Sequence, residues 1–381
     1  MPKVFVGMSG GVDSSMSAAL LVEQGYDVTG VYMKNWSRDL PGMKCPWAED
    51  LADAKRVAVK LGIPFEVWDF EDAYREKVVE YMLSEFKKGN TPNPDVMCNQ
   101  EIKFKLFFEK AIESGADFIA TGHYARTGLS SRLGDFRSAA ARGLAREPRG
   151  DGSERRDPEW DDKSVLLRAT DGNKDQTYFL YRISDEALSH TLFPIGDMLK
   201  PDVKKLAKEK GLHNAYKKES MGVCFVGEVG MKDFLKEYIE VEPGEIREIE
   251  TEKVLGYHEG AIFYTIGQRH GLYISGNKGE VNDGMPYYVV KKDLNKNIVY
   301  VSKNLNHAEI WKKELHLKDI FLRSDAPEKV QVRLRHRAPL VPATFDGETL
   351  YFENEVKRPA AGQSAVLYDG EICLGGGIIA D

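Results

Sequence analysis

Apolar residues in the first part of the chain follow two alternating patterns, short continuous runs and the three-to-four-residue spacing of a helix. The runs predict strands at residues 3–8, 27–33, 64–70 and 117–121. The helical spacing predicts helices at residues 12–24, 48–61, 73–88 and 102–114. Strands that alternate with helices form a parallel sheet covered on both faces, with ligands at the carboxyl ends of the strands. We therefore expect an α/β domain built on a parallel sheet.

The pattern changes after the fourth predicted strand. Residues 128–163 are rich in Gly, Arg, Asp and Ser and poor in large apolar residues, so they predict a flexible insertion. A strand at 164–170 then resumes the fold, and helices follow at 185–192 and 201–210.

Short strands separated by Gly, Asn and Pro turns dominate the last part of the chain, from YYVVKKD and NIVYVSK to EICLGGGII. This rhythm predicts a small all-β barrel. The expected domains are a first α/β domain at 1–213, a small central domain at 214–284 and the barrel at 285–381.

Length and composition agree with a soluble, multidomain protein. The chain has 381 residues, of which 42% are hydrophobic and 30% charged, which is enough for more than one core. It has no apolar run of roughly 18 residues, so we expect no membrane span. Its first residues, MPKVFVGMSGG, do not resemble a signal or transit peptide, so we expect a cytoplasmic protein. The net charge of −7 does not by itself favour nucleic acid.

The cysteines are few and widely spaced. Cys45, Cys98, Cys224 and Cys373 never form a C-x-x-C pair, which argues against a zinc ribbon or a disulfide framework, and we expect no protein-held metal. Cys98, in NPDVMC, and Cys224, in GVCFVGE, lie in polar, loop-like surroundings near lysines that favour a reactive thiolate. Cys45 and Cys373 are expected to be buried structural residues.

A glycine–serine loop separates the first predicted strand from the first helix. Two adjacent glycines allow the backbone to approach a bulky anion, and the helix start presents N–H groups and a positive dipole end to it. The alternative is an ordinary turn with an aspartate helix cap. The order of strand, loop and helix at the start of an α/β domain favours a phosphate site, although the chain has no Walker sequence. The loop residues are Gly7, Met8, Ser9, Gly10, Gly11, Val12, Asp13 and Ser14.

A basic segment lies in the predicted barrel. In VQVRLRHR the side chains of Arg333, Arg335 and Arg337 alternate with apolar residues and His336, so a strand would place three guanidinium groups on one face. Phosphate contact and a solvated strand face are both open interpretations. We expect the barrel to lie apart from the chemistry.

The glycine–serine loop resembles the pyrophosphatase loop of the N-type ATP pyrophosphatases, which use ATP to adenylate a carbonyl oxygen. Together with TPNPDVMCNQEIKF, ATGHYAR, NKDQTYFL, FPIG, GVCFVGE, TIGQRHGL and GQSAVLYDGEICLGGGII, it resembles the tRNA-specific 2-thiouridylases. These motifs occur in the family's order between residues 3 and 379, with the insertion as the clear departure.

The resemblance implies replacement of the C2 oxygen of a wobble uridine by sulfur, in tRNAs of the Lys, Glu and Gln type. It implies ATP and Mg²⁺ as cofactors, and a persulfide donor or relay protein as a partner. Cys224 would carry the persulfide, Cys98 would be the partner thiol and nucleophile, and Asp95 would be the general acid/base. Residues 7–14, with Met33 and Gly122, would hold the nucleotide. The implied tRNA contacts are Asn93, Pro94, Asp95, His123, Lys174, Asp175, Gln176, Arg335, His336 and Gln363.

Two other functions remain open from the residues alone. An amide-forming ligase with the same nucleotide fold would need neither cysteine. A non-catalytic RNA-binding protein would not cleave ATP to AMP.

Overall fold

The structure is a computed structural model that describes residues 1–39, 45–129, 163–217, 230–272, 274, 285–304 and 306–380. Its first strands are β1 (Lys3–Gly7), β2 (Asp27–Lys34), β3 (Phe65–Asp69), β4 (Phe118–Thr121), β5 (Arg126–Leu129), β6 (Ser164–Leu167) and β7 (Thr191–Leu192). A parallel sheet forms in the order β3-β2-β1-β4-β7. The predicted parallel α/β fold is confirmed.

The strand order reverses between β1 and β4. Loops that leave neighbouring parallel strands toward opposite sides open a crevice at such a point, and this crevice is the usual ligand site of open α/β sheets. The glycine–serine loop follows β1, and Gly122 and His123 follow β4. The topology therefore places both groups of predicted site residues at the same crevice.

Helices cover the sheet and connect it to the rest of the molecule. They are α1 (Val12–Glu23), α2 (Trp47–Leu61), α3 (Glu71–Tyr74), α4 (Tyr81–Lys87), α5 (Pro94–Met97), α6 (Phe107–Glu113), α7 (Thr177–Leu180), α8 (Asp185–Ser189), α9 (Lys200–Glu209) and α10 (Met231–Lys236). π-Helical segments Arg75–Glu80 and Cys98–Leu106 join α3 to α4 and α5 to α6. Short 3-10 helices occur at Ala261–Phe263 and Ala308–Ile310.

The helix predicted at 102–114 begins earlier, at Pro94. Asn93 caps it, because its side-chain oxygen accepts hydrogen bonds from the N–H groups of Asp95 and Val96, and Pro94 occupies the first helical position. Cys98 is therefore helical and 3% exposed, and the expectation of a loop-like thiol is wrong.

Strands β5 and β6 form an antiparallel hairpin that leaves the first sheet. Leu129 pairs with Ser164 at its open end, and β6 pairs with a barrel strand through Leu166 and Cys373. The strand predicted at 164–170 thus extends the barrel sheet instead of the parallel sheet. Most of the predicted insertion, residues 130–162, lies outside the described residues.

A central sheet is built from β8 (Gly244–Glu248), β9 (Val254–His258), β10 (Tyr288–Asp293) and β11 (Ile298–Ser302), in the order β10-β11-β8-β9. The segments YYVVKKD and NIVYVSK contribute β10 and β11, so their predicted place in the barrel is wrong. Alternating apolar residues predict a strand but do not say which sheet it joins.

The carboxyl-terminal part is a closed barrel. Its strands are β12 (Trp311–Leu322), β13 (Lys329–Arg333), β14 (Val341–Phe345), β15 (Thr349–Lys357), β16 (Ser364–Asp369) and β17 (Ile372–Ile379). They follow the order β12-β15-β14-β13-β16-β17, and pairing of β12 with β17 closes the circle around a core that includes Val332 and Leu367. The predicted barrel is confirmed.

The three arginines of VQVRLRHR do not share a strand face, contrary to the prediction. Strand β13 ends at Arg333, and Arg337 adopts a left-handed backbone with φ of 63°. Arg333 is buried, whereas Arg335 and Arg337 are exposed in the turn that follows.

Among the described residues, none of the helices combines the length and apolarity needed to cross a bilayer.

Candidate active site

The glycine–serine loop is shaped to receive an anion at the start of α1. Gly11 caps the helix without a side-chain hydrogen bond, and Gly10 adopts φ of 76°. Ser14 Oγ accepts a hydrogen bond from the N–H of Ser9 at 3.1 Å, which folds the loop back over the first helical turn. The helix start thus presents backbone N–H groups and the positive end of the dipole to the crevice.

Close approach across the crevice explains the glycine after β4. A Cβ atom on Gly122 would lie 2.5 Å from the backbone nitrogen of Ser14, so a side chain there would collide with the loop. A Cβ on Gly7 would lie 2.8 Å from the end of the Met33 side chain. Met33 and Gly122 therefore border the glycine–serine loop.

Asp13, in the first turn of α1, is held by partners that the sequence did not reveal. Lys200 Nζ lies 2.8 and 2.7 Å from its two carboxylate oxygens, and the Tyr124 hydroxyl donates to one of them at 3.0 Å. Lys200 is 6% exposed and is the first residue of α9, shortly after the FPIG segment at 193–196. A buried lysine thus adds a positive charge beside the loop and neutralises Asp13.

A second partner supports the loop from outside the first helix. The Asn214 side-chain amide donates to the Gly10 carbonyl at 2.9 Å and to Ser15 Oγ at 2.8 Å. This bond holds the peptide whose left-handed geometry gives the loop its shape. Asn214 belongs to none of the motifs found in the sequence, so the sequence did not predict its contact with the loop.

Asp95 and Cys98 lie one helical turn apart. Both residues have helical backbone angles, and side chains three positions apart on a helix are neighbours. Burial raises the pKa of the Asp95 carboxyl, and Lys103 acts in the opposite direction. Because the raised pKa favours the protonated form, this carboxyl is better suited to proton transfer than an exposed aspartate.

His123 lies between this helix and the crevice. Its ring lies 5.8 Å from that of Phe104, between centroids, and its Nδ1 is 2.8 Å from Thr121 Oγ1. Burial, with Lys103 nearby, holds the pKa of His123 well below its usual range. The imidazole is therefore neutral at physiological pH and can act only through neutral hydrogen bonds or stacking.

Lys174, Asp175 and Gln176 were predicted to contact tRNA. In the structure, the side chains of Asp175 and Gln176 bind other residues of the protein. The Asp175 carboxylate is buried and lies 2.7 Å from Arg333 and 3.4 Å from Arg168. Gln176 Oε1 accepts a hydrogen bond from the Tyr124 N–H at 2.9 Å. Lys174 is half-buried.

His336 lies under the exposed arginines of the barrel turn. Its ring centroid is 4.5 Å from that of Phe179. Burial, with Arg337 and Arg333 nearby, lowers the pKa of His336 to about 4, so the ring is neutral at pH 7.

Gln363 contacts the first domain just before the helix that carries Asp95 and Cys98. Its amide donates to the Thr91 carbonyl at 2.7 Å. With Arg335, Thr265, Leu334 and Pro359 it also lines a cavity of about 190 Å³ between the barrel and the central domain.

The remaining cysteines separate into two groups. Cys45 and Cys373 are buried, as predicted. Burial raises the pKa of Cys45 and raises that of Cys373 to about 12, so both are poor thiolates at neutral pH. Cys224 lies outside the described residues.

Three families match successive parts of the chain. They are described as "tRNA methyl transferase HUP domain" over residues 2–228, "tRNA methyl transferase PRC-barrel domain" over 232–303 and "Aminomethyltransferase beta-barrel domain" over 312–379. The fold and its crevice thus define a HUP-type α/β protein with a central β domain and a terminal barrel.

Curated relatives match over nearly the full length. "tRNA-specific 2-thiouridylase MnmA" of Listeria monocytogenes serotype 4a is 44% identical over 386 residues, which cover 99% of this chain and 94% of that protein. The protein of that name from Pseudomonas savastanoi pv. phaseolicola is 43% identical, with 100% and 94% covered. The Idiomarina loihiensis protein is also 43% identical, with 99% and 95% covered. The chain belongs to the tRNA-specific 2-thiouridylase family.

Proposed function

We propose that this protein is an ATP-dependent sulfurtransferase that converts the wobble uridine of tRNA to 2-thiouridine. The observation that carries the proposal is the pairing of Asp95 and Cys98 on one helical turn, next to a crevice that holds a phosphate-type loop, in a chain 44% identical to a curated 2-thiouridylase. Sulfur transfer to a base needs an activated carbon, a thiol and a proton-transfer group, and these residues supply the last two.

The loop residues Gly7 to Ser14 would bind ATP phosphates as a co-substrate site. The uncapped start of α1 favours polyphosphate, the Lys200 ammonium offsets the negative charge of Asp13 beside it, and Met33 and Gly122 border the same space. Among the residues that the structure describes, no group of three His, Cys, Asp or Glu side chains is placed to hold a metal ion. Mg²⁺ would therefore arrive bound to ATP, with Asp13 as the nearest carboxylate in the loop.

In the proposed reaction, the C2 oxygen of the uridine attacks the α-phosphorus of ATP, and pyrophosphate leaves. The terminal sulfur of a persulfide on Cys224 then bonds to C2, and AMP leaves with the original oxygen. The Cys98 thiolate attacks the inner sulfur, which is Sγ of Cys224. The S–S bond of the persulfide breaks, its terminal sulfur stays on C2 of the base with the electron pair, and a Cys98–Cys224 disulfide forms. A dithiol reductant returns both cysteines to thiols, which balances the electrons.

Asp95 would move the protons of this sequence. Its carboxylate would accept the Cys98 proton and return it to the product side, and its raised pKa favours the protonated form that this step requires. Asn93 and Pro94 fix the start of the helix that carries both groups, so the target base would meet them in a fixed geometry.

Exposed basic residues on the barrel turn would bind the tRNA backbone. Arg335 and Arg337 are exposed, and Lys174 lies close enough to His336 to influence its pKa. The proposed tRNA contacts of His123 and His336 would be made by neutral groups, which suits stacking or hydrogen bonding to unstacked bases.

The proposal is tested by mass spectrometry of tRNA nucleosides after incubation with ATP, Mg²⁺ and a persulfide source. We expect 2-thiouridine with the wild-type protein and with Cys45→Ser, and none with Cys98→Ser. Cys45→Ser is the matched control because it changes a buried cysteine of the same domain. Full activity of Cys98→Ser would contradict the two-thiol chemistry. ATP cleavage without any thiolated base would favour an amide-forming ligase.

A further inference from the structure

The barrel holds the catalytic segment, residues 91–100, at both of its ends. At the first end, the Thr91 N–H donates to the Ala361 carbonyl at 2.7 Å, and the Gln363 amide donates to the Thr91 carbonyl at 2.7 Å. Both backbone polar groups of Thr91, its N–H and its carbonyl, are therefore bonded to one barrel loop. Gly362, between the two, has φ of 89°, and a Cβ there would lie about 3 Å from Asn90 and Thr91.

At the second end, Arg182 connects the same segment to another part of the barrel. Its Nε donates to Gln100 Oε1 at 2.6 Å, and its Nη1 donates to the Asp319 carbonyl at 2.7 Å. Gln100 lies two residues after Cys98. One guanidinium group thus connects the barrel to the far side of the catalytic segment, because its rigid fork of N–H donors binds two separate acceptors at once.

The rest of the molecule adds support at both ends. Near the second end, the buried Asn99 side-chain amide donates to the Phe179 carbonyl at 3.0 Å, and two further contacts lie at the first end. The Asn90 side chain donates to the buried Glu85 carboxylate at 2.7 Å, and Thr91 Oγ1 is 3.3 Å from Thr265 Oγ1 of the central domain. Between Thr91 and Cys98 the chain is stiff, because Pro92 and Pro94 restrict the backbone and Asn93 caps the helix. A displacement of the Thr91 peptide would therefore be passed on to Asp95 and Cys98.

From these contacts we infer that the barrel is part of the catalytic apparatus, and that Gln363 and Arg182 are positioning residues for Asp95 and Cys98. The expectation that the barrel lies apart from the chemistry is wrong, because its loop bonds directly to the catalytic segment. The inference rests on the proposed function for its kinetic consequence, but the placement of Cys98 can be measured without it.

The test compares Gln363→Ala with Gln331→Ala, an exposed glutamine of the same barrel. Two quantities are measured: the single-turnover rate of 2-thiouridine formation at saturating tRNA, and the rate of Cys98 alkylation by iodoacetamide, read by peptide mass spectrometry. We expect Gln363→Ala to lower the turnover rate on the order of tenfold and to raise Cys98 alkylation several-fold. The Kd for tRNA should stay within about twofold of wild type.

Arg182→Lys provides an independent variant, because it keeps the charge and removes the fork. It should show the same combination of slower turnover and more reactive Cys98. A weaker tRNA Kd with unchanged turnover and unchanged alkylation in Gln363→Ala would overturn the inference and leave a simple tRNA contact. If the wild-type protein forms no 2-thiouridine, the proposed function fails, and the alkylation rates alone still decide whether the barrel positions Cys98.

Discussion

The ion pair between Asp175 and Arg333 offers a direct test of how the barrel is attached to the first domain. The Asp175 side chain is fully buried and that of Arg333 is 5% exposed, with 2.7 Å between Oδ2 and Nη1. The other carboxylate oxygen accepts hydrogen bonds from the Thr177 hydroxyl at 2.8 Å and the Thr177 N–H at 3.2 Å. Every part of this carboxylate therefore has a partner inside the protein.

The perturbation is Asp175→Asn, which keeps the shape and removes the charge. It leaves the Arg333 guanidinium buried without a counter-ion, and breaking a buried pair in this way costs about 3–5 kcal/mol. A change of this size lowers Tm by roughly 6–15 °C for a cooperative unit of the size involved. Thermal unfolding followed by circular dichroism measures the shift.

The control is Asp72→Asn, which breaks the exposed pair with Arg75, whose nearest atoms are 4.0 Å apart. Its Tm should stay within about 1 °C of wild type, because exposed pairs contribute little. The double variant Asp175→Asn/Arg333→Met removes both buried charges and should recover at least about half of the lost stability. A Tm of Asp175→Asn equal to that of Asp72→Asn would refute the reasoning.

Three further predictions follow from the site and its surroundings. Asp13→Ala should slow AMP release more than it weakens tRNA binding, because it removes the carboxylate between Lys200 and the loop; an unchanged rate of AMP release would contradict this. Deletion of residues 131–161 with a short Gly/Ser link should leave Tm nearly unchanged, because the flanking strands already pair at Leu129 and Ser164; a collapse in Tm would show that the segment is structural. His336→Gln should reduce the fall in the free energy of unfolding as the pH is lowered from 6.5 to 4. The reason is that the pKa of His336 is near 6.5 in the unfolded chain and about 4 in the folded protein, so protons bind preferentially to the unfolded state in this range. Wild-type stability in that window should fall by roughly 2 kcal/mol more than that of the variant, as measured by urea unfolding at each pH.

The sequence predicted the fold class and the crevice because these depend on local patterns. Runs of apolar residues located β1 to β4, and the order of strand, glycine loop and helix located the glycine–serine loop at the crevice. The early helix start at Pro94 was also readable, since an Asn–Pro pair is a helix-start signal that the periodicity of later residues obscured.

Long-range pairing could not be read in the same way. The ion pair between Lys200 and Asp13 joins residues 187 positions apart, and Gln363 and Thr91 are 272 positions apart. Arg333 resembled its neighbours Arg335 and Arg337 in the sequence, yet only Arg333 is buried, because the strand ends there and a carboxylate from another domain meets it. Tertiary packing decides which arginine pairs with a carboxylate of the same chain and which arginines remain exposed.

The central claim is that ATP activates the C2 oxygen of the uridine before sulfur replaces it. The direct measurement uses tRNA in which that oxygen is ¹⁸O, with mass spectrometry of the AMP formed in a single turnover with a persulfide source. The mechanism predicts one ¹⁸O atom in AMP for each 2-thiouridine. Unlabelled AMP, with the ¹⁸O released as water or in pyrophosphate, would contradict adenylation of the base.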